Sequence, residues 1–257
     1  MPNIFFTSDN HFSHHNIIKY CDRPWGNFER FKGINEEDME DDMLQDYKNE
    51  LFSASLKMNE EMIKRHNEVV GPKDWVFNLG DFFCGKSAKE AEEVFHALNG
   101  KKFLIKGNHD KKITFKLPWE RQYDILYLKI RSVPGWQNHK DEVFLSHYSH
   151  RVWNKSFHGV GHLWGHSHGG MDFYKNSFDV GVDCHNFYPI SWEKVKKYFE
   201  AIEVLNAMNL DADSIRKKVS EDDKELISFL DELESEEIFI RKIISKYGRK
   251  HETSENL

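Results

Sequence analysis

The chain has 257 residues, room for one large domain or for one domain with an appendage, and 36 Lys and Arg against 43 Asp and Glu leave a net charge of −7. That balance excludes the strongly basic field by which proteins hold nucleic acid regardless of sequence. With 39% hydrophobic and 31% charged residues, no apolar run of about 18 residues exists to cross a bilayer, and the opening residues do not read as a signal peptide, so a cytoplasmic protein is expected.

Cys21, Cys84 and Cys184 are far apart and in no CxxC pairing, which argues against a disulfide framework or a thiolate zinc site. Each reads as a free, buried thiol. Histidine is the informative count: there are 15, and eight lie between His139 and His185.

In chain order, short apolar runs repeatedly stop at polar residues able to bind metal. Residues 3–8 form a β-prone run ending at Asp9, and 75–79 another ending at Gly80 and Asp81. The runs 102–105, 142–145 and 162–164 stop before Gly107-Asn108-His109-Asp110, Ser146-His147 and Gly165-His166-Ser167-His168. Five strands therefore hand over to polar loops in one direction. Between the first two, residues 35–70 begin with an acidic run that reads as a solvated face. They then carry Met58, Met62, Ile63, Val69 and Val70 at helical spacing. Ser87 and Glu90 have the form of a capping box before Ala91, Val94, Phe95 and Leu98, and Asn99-Gly100 supplies a stop. A further strand is expected over 178–182, then a helix from Ser191 with Val195, Tyr198, Phe199 and Ile202 on one face. An α/β domain over 1–206 follows, and 207–257 reads as a helical extension with a mobile tail. That extension folds back on the core or makes a homo-oligomer contact.

The polar loops carry the chemistry. In extended backbone, residues i and i+2 face the same way, so Asp9 with His11, and His166 with His168, can each reach one ion. Strand ends are also where open α/β sheets keep their ligand crevice. Adding Asp81, Asn108 and His147 gives seven oxygen and imidazole donors without sulfur. Such a set suits manganese, iron, zinc, nickel or cobalt and is too rich in nitrogen for calcium or magnesium cages. Seven donors are too many for one tetrahedral ion but fit two ions sharing a carboxylate at roughly 3.5–4 Å separation.

The motifs DNH, GD, GNHD, the first histidine of SHYSH, and GHSH stand in the order and spacing of the calcineurin-like metallophosphoesterases. The chain resembles that family over roughly residues 1–200, and SDNHFSHHNIIKYCDRPW is similar to a compact group of its bacterial and phage members. The resemblance implies a four-layer α/β/β/α sandwich of two mixed sheets with a metal pair at strand ends. It assigns Asp9, His11 and His168 to the first metal, Asp81 to the bridge, and Asn108, His147 and His166 to the second metal. His109 corresponds to the family's catalytic histidine, with Asp110 orienting or charging it. Phe12 stands where the family has glycine, which bears on the substrate entrance.

The expected cofactor is two divalent transition-metal ions, manganese first. Two such ions outweigh two carboxylates and a hydroxide, so the site is locally positive in an acidic chain, and close charges prevail over distant, screened ones. Water between the ions loses a proton near neutrality and becomes the nucleophile, attacking phosphorus in line, while His109 protonates the departing oxygen. The expected activity is phosphodiester hydrolysis on a small or nucleotide-like substrate. The alternatives are phosphomonoesterase or phosphoprotein phosphatase action, and a non-catalytic metal-binding interaction module. No extended nucleic-acid track and no membrane partner are expected. His14 and His15 either contact substrate phosphate or cap the helix begun at Asn16; Arg23 is either a phosphate contact or a surface ion pair. His150, Arg151, His158 and His162 read as loop residues or as supports for metal-binding imidazoles. Trp153, Trp164 and Phe157 are core residues or a base-binding wall.

Overall fold

The computed structural model describes residues 2–130 and 141–207. The expected extension and its oligomer contact, beyond Ala207, lie outside these residues, as does His139. In chain order the elements are β1 (Ile4–Thr7), α1 (Ile17–Tyr20), α2 (Asp41–Val69), β2 (Trp75–Asn78), α3 (Ala88–Ala97), β3 (Lys101–Ile105) and α4 (Lys112–Phe115). There follow β4 (Arg121–Tyr123), β5 (Ile125–Lys129), β6 (Glu142–Ser146), β7 (Gly161–Trp164), β8 (Ser177–Asp179), β9 (Ile190–Ser191) and α5 (Trp192–Ala207).

The strands form two mixed sheets, ordered β4-β3-β2-β1-β9 and β5-β6-β7-β8. The first four strands of one sheet are parallel and β9 runs antiparallel to β1; in the other, β6, β7 and β8 are parallel and β5 is antiparallel. Parallel neighbours require a crossover, and α2 and α3 supply those between β1, β2 and β3. The two-residue period sorts the side chains. Phe6, Phe77, Leu79 and Ile105 of one sheet share a buried cluster with Val143, Leu145, Leu163 and Phe178 of the other. Phe5 and Val76 face away from it with Val70, and Leu104 joins a second cluster with Ala54, Met58 and Met62 of α2 and Val94 and Phe95 of α3.

Of the residues expected to mark the helix over 35–70, Met58 and Met62 are buried and Ile63 partly so, but Val69 is 40% exposed and Val70 lies past the helix end in another cluster. α2 buries Leu51, Ala54, Met58 and Met62, three or four residues apart, and places Asp41 and Asp42 in its first turn, where they complement the helix dipole. The acidic run before it is exposed, as read from the sequence. Ser87 caps α3, its hydroxyl accepting the Glu90 N–H at 3.2 Å. The other half of the capping box does not close: the Glu90 carboxylate accepts from the Ser13 hydroxyl at 2.6 Å, tying α3 to the loop after β1. The strand expected over 178–182 stops at Asp179, because the chain there crosses to the first sheet. Gly181 bridges Ser8, and the Val182 N–H reaches the Ser8 carbonyl. No helix among the described residues is long and apolar enough to cross a membrane.

Candidate metal centre

The loops that follow β1, β2, β3, β6 and β7 converge, each at the C-terminal end of its strand. Asp9, His11 and His168 each bring a ligand atom within 4.8 Å of the others, and Asp81, His147 and His166 form a second such group. Asp81 joins them: its Oδ2 lies 3.6 Å from His11 Nε2 and 3.5 Å from His147 Nε2. Asn108 Oδ1 lies 2.9 Å from His147 Nε2. Ligand atoms around one ion with bonds of about 2.1 Å sit about 3.0–3.4 Å apart, close to these separations. All seven sequence-derived donors are thus brought together.

The convergence does not use extended backbone. Asp9, His11, Asp81, His166 and His168 have φ of 54°, 50°, 54°, 70° and 49°, the left-handed region that side chains other than those of glycine rarely occupy. Nor do His166 and His168 fall in one donor group. Left-handed turns send them to different groups, as the family resemblance implied and the i, i+2 argument did not. Holding non-glycine residues there costs of order 1 kcal/mol each, and such positions gather at functional sites. The loops also approach too closely for side chains. A Cβ on Gly107 would lie 2.2 Å from Asp81 Oδ1, and one on Gly80, at φ 106°, would lie 2.6 Å from His147 Nδ1.

Contacts on the far side of the His147, His168 and His11 rings fix which nitrogen faces the centre. His147 Nδ1 donates to the Leu79 carbonyl at 2.7 Å, leaving a lone pair on Nε2 beside the Asn108 oxygen. A positive charge at Nε2, whether a proton or a metal ion, is what reconciles it with the Asn108 oxygen. His168 Nδ1 meets Asp183 Oδ2 at 2.7 Å. His11 Nδ1 lies 3.2 Å from Cys84 Sγ and 3.3 Å from His14 Nδ1, while its Nε2 is buried without a hydrogen-bond partner. Asp9 Oδ1 is likewise buried and unpartnered, its Oδ2 accepting from the His166 N–H at 2.8 Å. Orphaned buried acceptors are costly unless something positive meets them. The residues therefore fit divalent cations.

The electrostatics agree. Burial, then the neighbouring Asp179 carboxylate, push the Asp9 carboxyl well above the usual carboxylate range. Burial pulls His168 down, but its hydrogen bonds to Asp183 and Cys21 and the nearby carboxylates lift it to about 10. His147 is raised against its burial by Asp81 and Asp9. The carboxylates thus draw positive charge onto the imidazoles, and a metal ion would replace those protons. His11, whose burial lowers it to about 2, stays neutral.

Three expectations are corrected. Arg23 is 4% exposed and its donors go to protein acceptors: Nε and Nη2 to Asp183, Nη2 to the Asp9 carbonyl, and Nη1 to the Asn10 carbonyl and Met58 Sδ. Five donors meet five acceptors, which leaves none for phosphate. Asp110 does not orient His109. Its carboxylate accepts the backbone N–H groups of Asp81, Phe82 and Gly107 at 2.9–3.0 Å, locking two ligand loops together. His15 does not reach the centre and caps nothing: it is exposed, its ring is 5.2 Å from that of Phe52, and α1 has no side-chain cap.

His109 is exposed, with its ring 5.5 Å from that of His11 and its N–H donating to Asp81 Oδ1 at 2.8 Å. His14 lies 5.3 Å from the His11 ring on the same side, and burial lowers it to about 4. Phe12 is buried against Phe82 and pairs with Phe83, so it anchors the first loop in the core. The cysteines are free, as expected, but only Cys184 is buried; Cys84 stands beside His11, and Cys21 beside His168 and Asp183. Trp153 and Trp164 are core residues, whereas Phe157 is 79% exposed. Sequence reasoning missed Asp179 and Asp183. Its available signal was an acid ending β8, as acids follow β1 and β2.

No protein-family model matches the chain. It is similar to a protein described as uncharacterized from Methanocaldococcus jannaschii, 29% identical over 217 residues, a match covering 81% of this chain and 98% of the relative. It is also similar to the crystal structure of a protein of unknown function from Aquifex aeolicus. That match has a TM-score of 0.50 and 20% identity, and it covers 77% of this chain and 100% of the other. The second likeness speaks to the fold alone.

Proposed function

We propose that the chain is a metallophosphoesterase of the calcineurin-like kind, a four-layer sandwich whose paired metal site hydrolyses phosphoesters, with diesters of small or nucleotide-like molecules as the preferred class. The observation that carries this reading is Asp81 Oδ2, placed 3.6 and 3.5 Å from imidazole nitrogens of two separate donor groups, which is the position of a shared carboxylate. Asp9, His11 and His168 would hold one ion, and Asn108, His147 and His166 the other. When bound, two divalent ions, manganese first, supply Lewis acidity to phosphoryl oxygens and water of lowered pKa.

The protein's own part is positional and protonic. Asp81 Oδ1 accepts the His109 N–H, so the carboxylate between the two groups also fixes the peptide of the exposed imidazole. From there His109 can donate a proton to a departing alkoxide, help worth roughly 10²–10⁴-fold for a poor leaving group. Asp110 holds the loops after β2 and β3 in register and touches neither proton nor substrate. The monoester and phosphoprotein readings use the same centre; a metal-binding module without turnover would need no exposed imidazole beside it.

The test is metal analysis combined with paired assays on bis-nitrophenyl and mono-nitrophenyl phosphate across manganese, nickel, cobalt, zinc and magnesium. About two ions per chain and faster diester turnover are expected. A filled site without turnover would leave the binding module standing. His109→Ala should keep its metal and lose roughly 10²–10⁴-fold toward alkyl leaving groups but much less toward nitrophenolate; equal losses on both, or lost metal, would end the proton-donor assignment.

A further inference from the structure

Tyr148 follows the donor His147 directly in the chain. The Tyr148 ring is 50% exposed and sits edge-on to two imidazoles of the second donor group, 5.0 Å from His147 and 4.7 Å from His166 between centroids. An aromatic ring so placed is within stacking reach, about 4.5–7 Å, of a planar group on a ligand held there. The peptide that carries it is pinned from inside the second sheet. Trp164 Nε1 donates to Ser177 Oγ at 2.8 Å, Ser177 Oγ to His162 Nδ1 at 3.0 Å, His162 Nε2 to Ser146 Oγ at 2.8 Å, and Ser146 Oγ to the Tyr148 carbonyl at 2.7 Å. The run starts at a donor, the Trp164 N–H, and ends at an acceptor, the Tyr148 carbonyl; Ser177, His162 and Ser146 between them each donate once and accept once, and His162 is 0% exposed, so the run has one consistent direction. It fixes a platform before substrate arrives, which lowers the ordering cost of binding.

The two ends of the centre differ chemically. His109 and His14 flank the His11 end with imidazole nitrogens, and Tyr148 flanks the other with an apolar face. A leaving group that takes its proton from His109 occupies the first end, so the substituent that remains on phosphorus faces the second. We propose that Tyr148 is the specificity-determining residue of the site, stacking a nucleobase or aryl group on the retained ester of a phosphodiester. This rests on the hydrolase reading above.

Two diesters with a common leaving group separate the possibilities: the nitrophenyl ester of thymidine monophosphate and methyl nitrophenyl phosphate, each assayed with manganese and with metal content measured in every variant. The wild type should prefer the thymidine diester in kcat/KM. Tyr148→Ala should lower that preference about tenfold, chiefly through KM, and Tyr148→Phe should preserve it, because a stacked base binds the ring face. An unchanged preference in Tyr148→Ala, its loss in Tyr148→Phe, or loss of manganese in Tyr148→Ala would each overturn the inference. Wild-type protein that binds manganese but cleaves neither diester would instead remove the hydrolase reading, and the inference with it.

Discussion

Arg23 shows how a single side chain is reassigned once its surroundings are known. An arginine near a phosphate site suggests phosphate, yet here the guanidinium clamps Asp183, and Asp183 in turn holds His168 Nδ1, so Nε2 is presented to the centre. Burial would raise Asp183, but the charge of Arg23 and the hydrogen bond from His168 hold it at about 2. Replacing Arg23 by Lys keeps one charge but loses the fork that meets both carboxylate oxygens. Arg23→Lys should therefore cost about 3 kcal/mol in denaturant unfolding of the metal-free protein, the usual penalty for a broken buried pair. It should also weaken manganese binding roughly 10–100-fold in direct titration, because a partner that orients a ligand imidazole is lost. Unchanged manganese affinity in a folded variant would mean that Asp183 holds His168 unaided.

Among the elements, α3 was the most legible in sequence, since its cap, its apolar spacing and its stop are all local. Ser87→Ala should remove the hydroxyl that meets the Glu90 N–H and cost about 1 kcal/mol by denaturant unfolding, with metal content unchanged because α3 carries no ligand. A cost near zero would show that packing of Ala91, Val94 and Phe95 alone fixes the helix start. β4, β5 and β9 were not read from sequence. β5 is an edge strand whose residues are exposed or only partly buried, so it lacks a clean alternation, and β9 has only two residues. β8 was read too long because Val180 and Val182 are buried like strand residues, although the backbone has already left the sheet. Apolar pattern reports burial; it does not report hydrogen-bonded pairing.

For the molecule as a whole, acid should be destabilising through buried histidines outside the donor set, His66 of α2 and His162 behind the loop that carries His147. Burial lowers His66 from its ordinary 6.5 to about 4 and His162 to about 3. An unfolded histidine takes up its proton below about pH 6.5, whereas these resist it, so the unfolded chain binds more protons across that interval. Their contribution is therefore complete above pH 6.5 and is lost progressively as the pH falls toward 4 and 3. His66 alone accounts for roughly 2 kcal/mol between pH 7 and pH 5. Urea unfolding of metal-free protein at these two pH values should show the loss, and His66→Gln, whose amide can still donate to the Asn99 carbonyl that His66 Nε2 reaches at 3.0 Å, should shrink it. An equal loss in the variant would place the acid sensitivity elsewhere.

By itself, the sequence determined the α/β character, the handover of strands to polar loops, and the seven donor residues, because strand pattern and the types of side chain that bind metal are local properties. The positions of Asp110, Arg23 and Tyr148 relative to those donors were decided only in the tertiary structure, as was the separation of His166 from His168. The reason is physical: side-chain direction in a loop depends on left-handed backbone and on groups contributed by other strands. Hydrogen-bond partners such as Asp183 for Arg23, 160 positions apart, meet only when the two sheets pack.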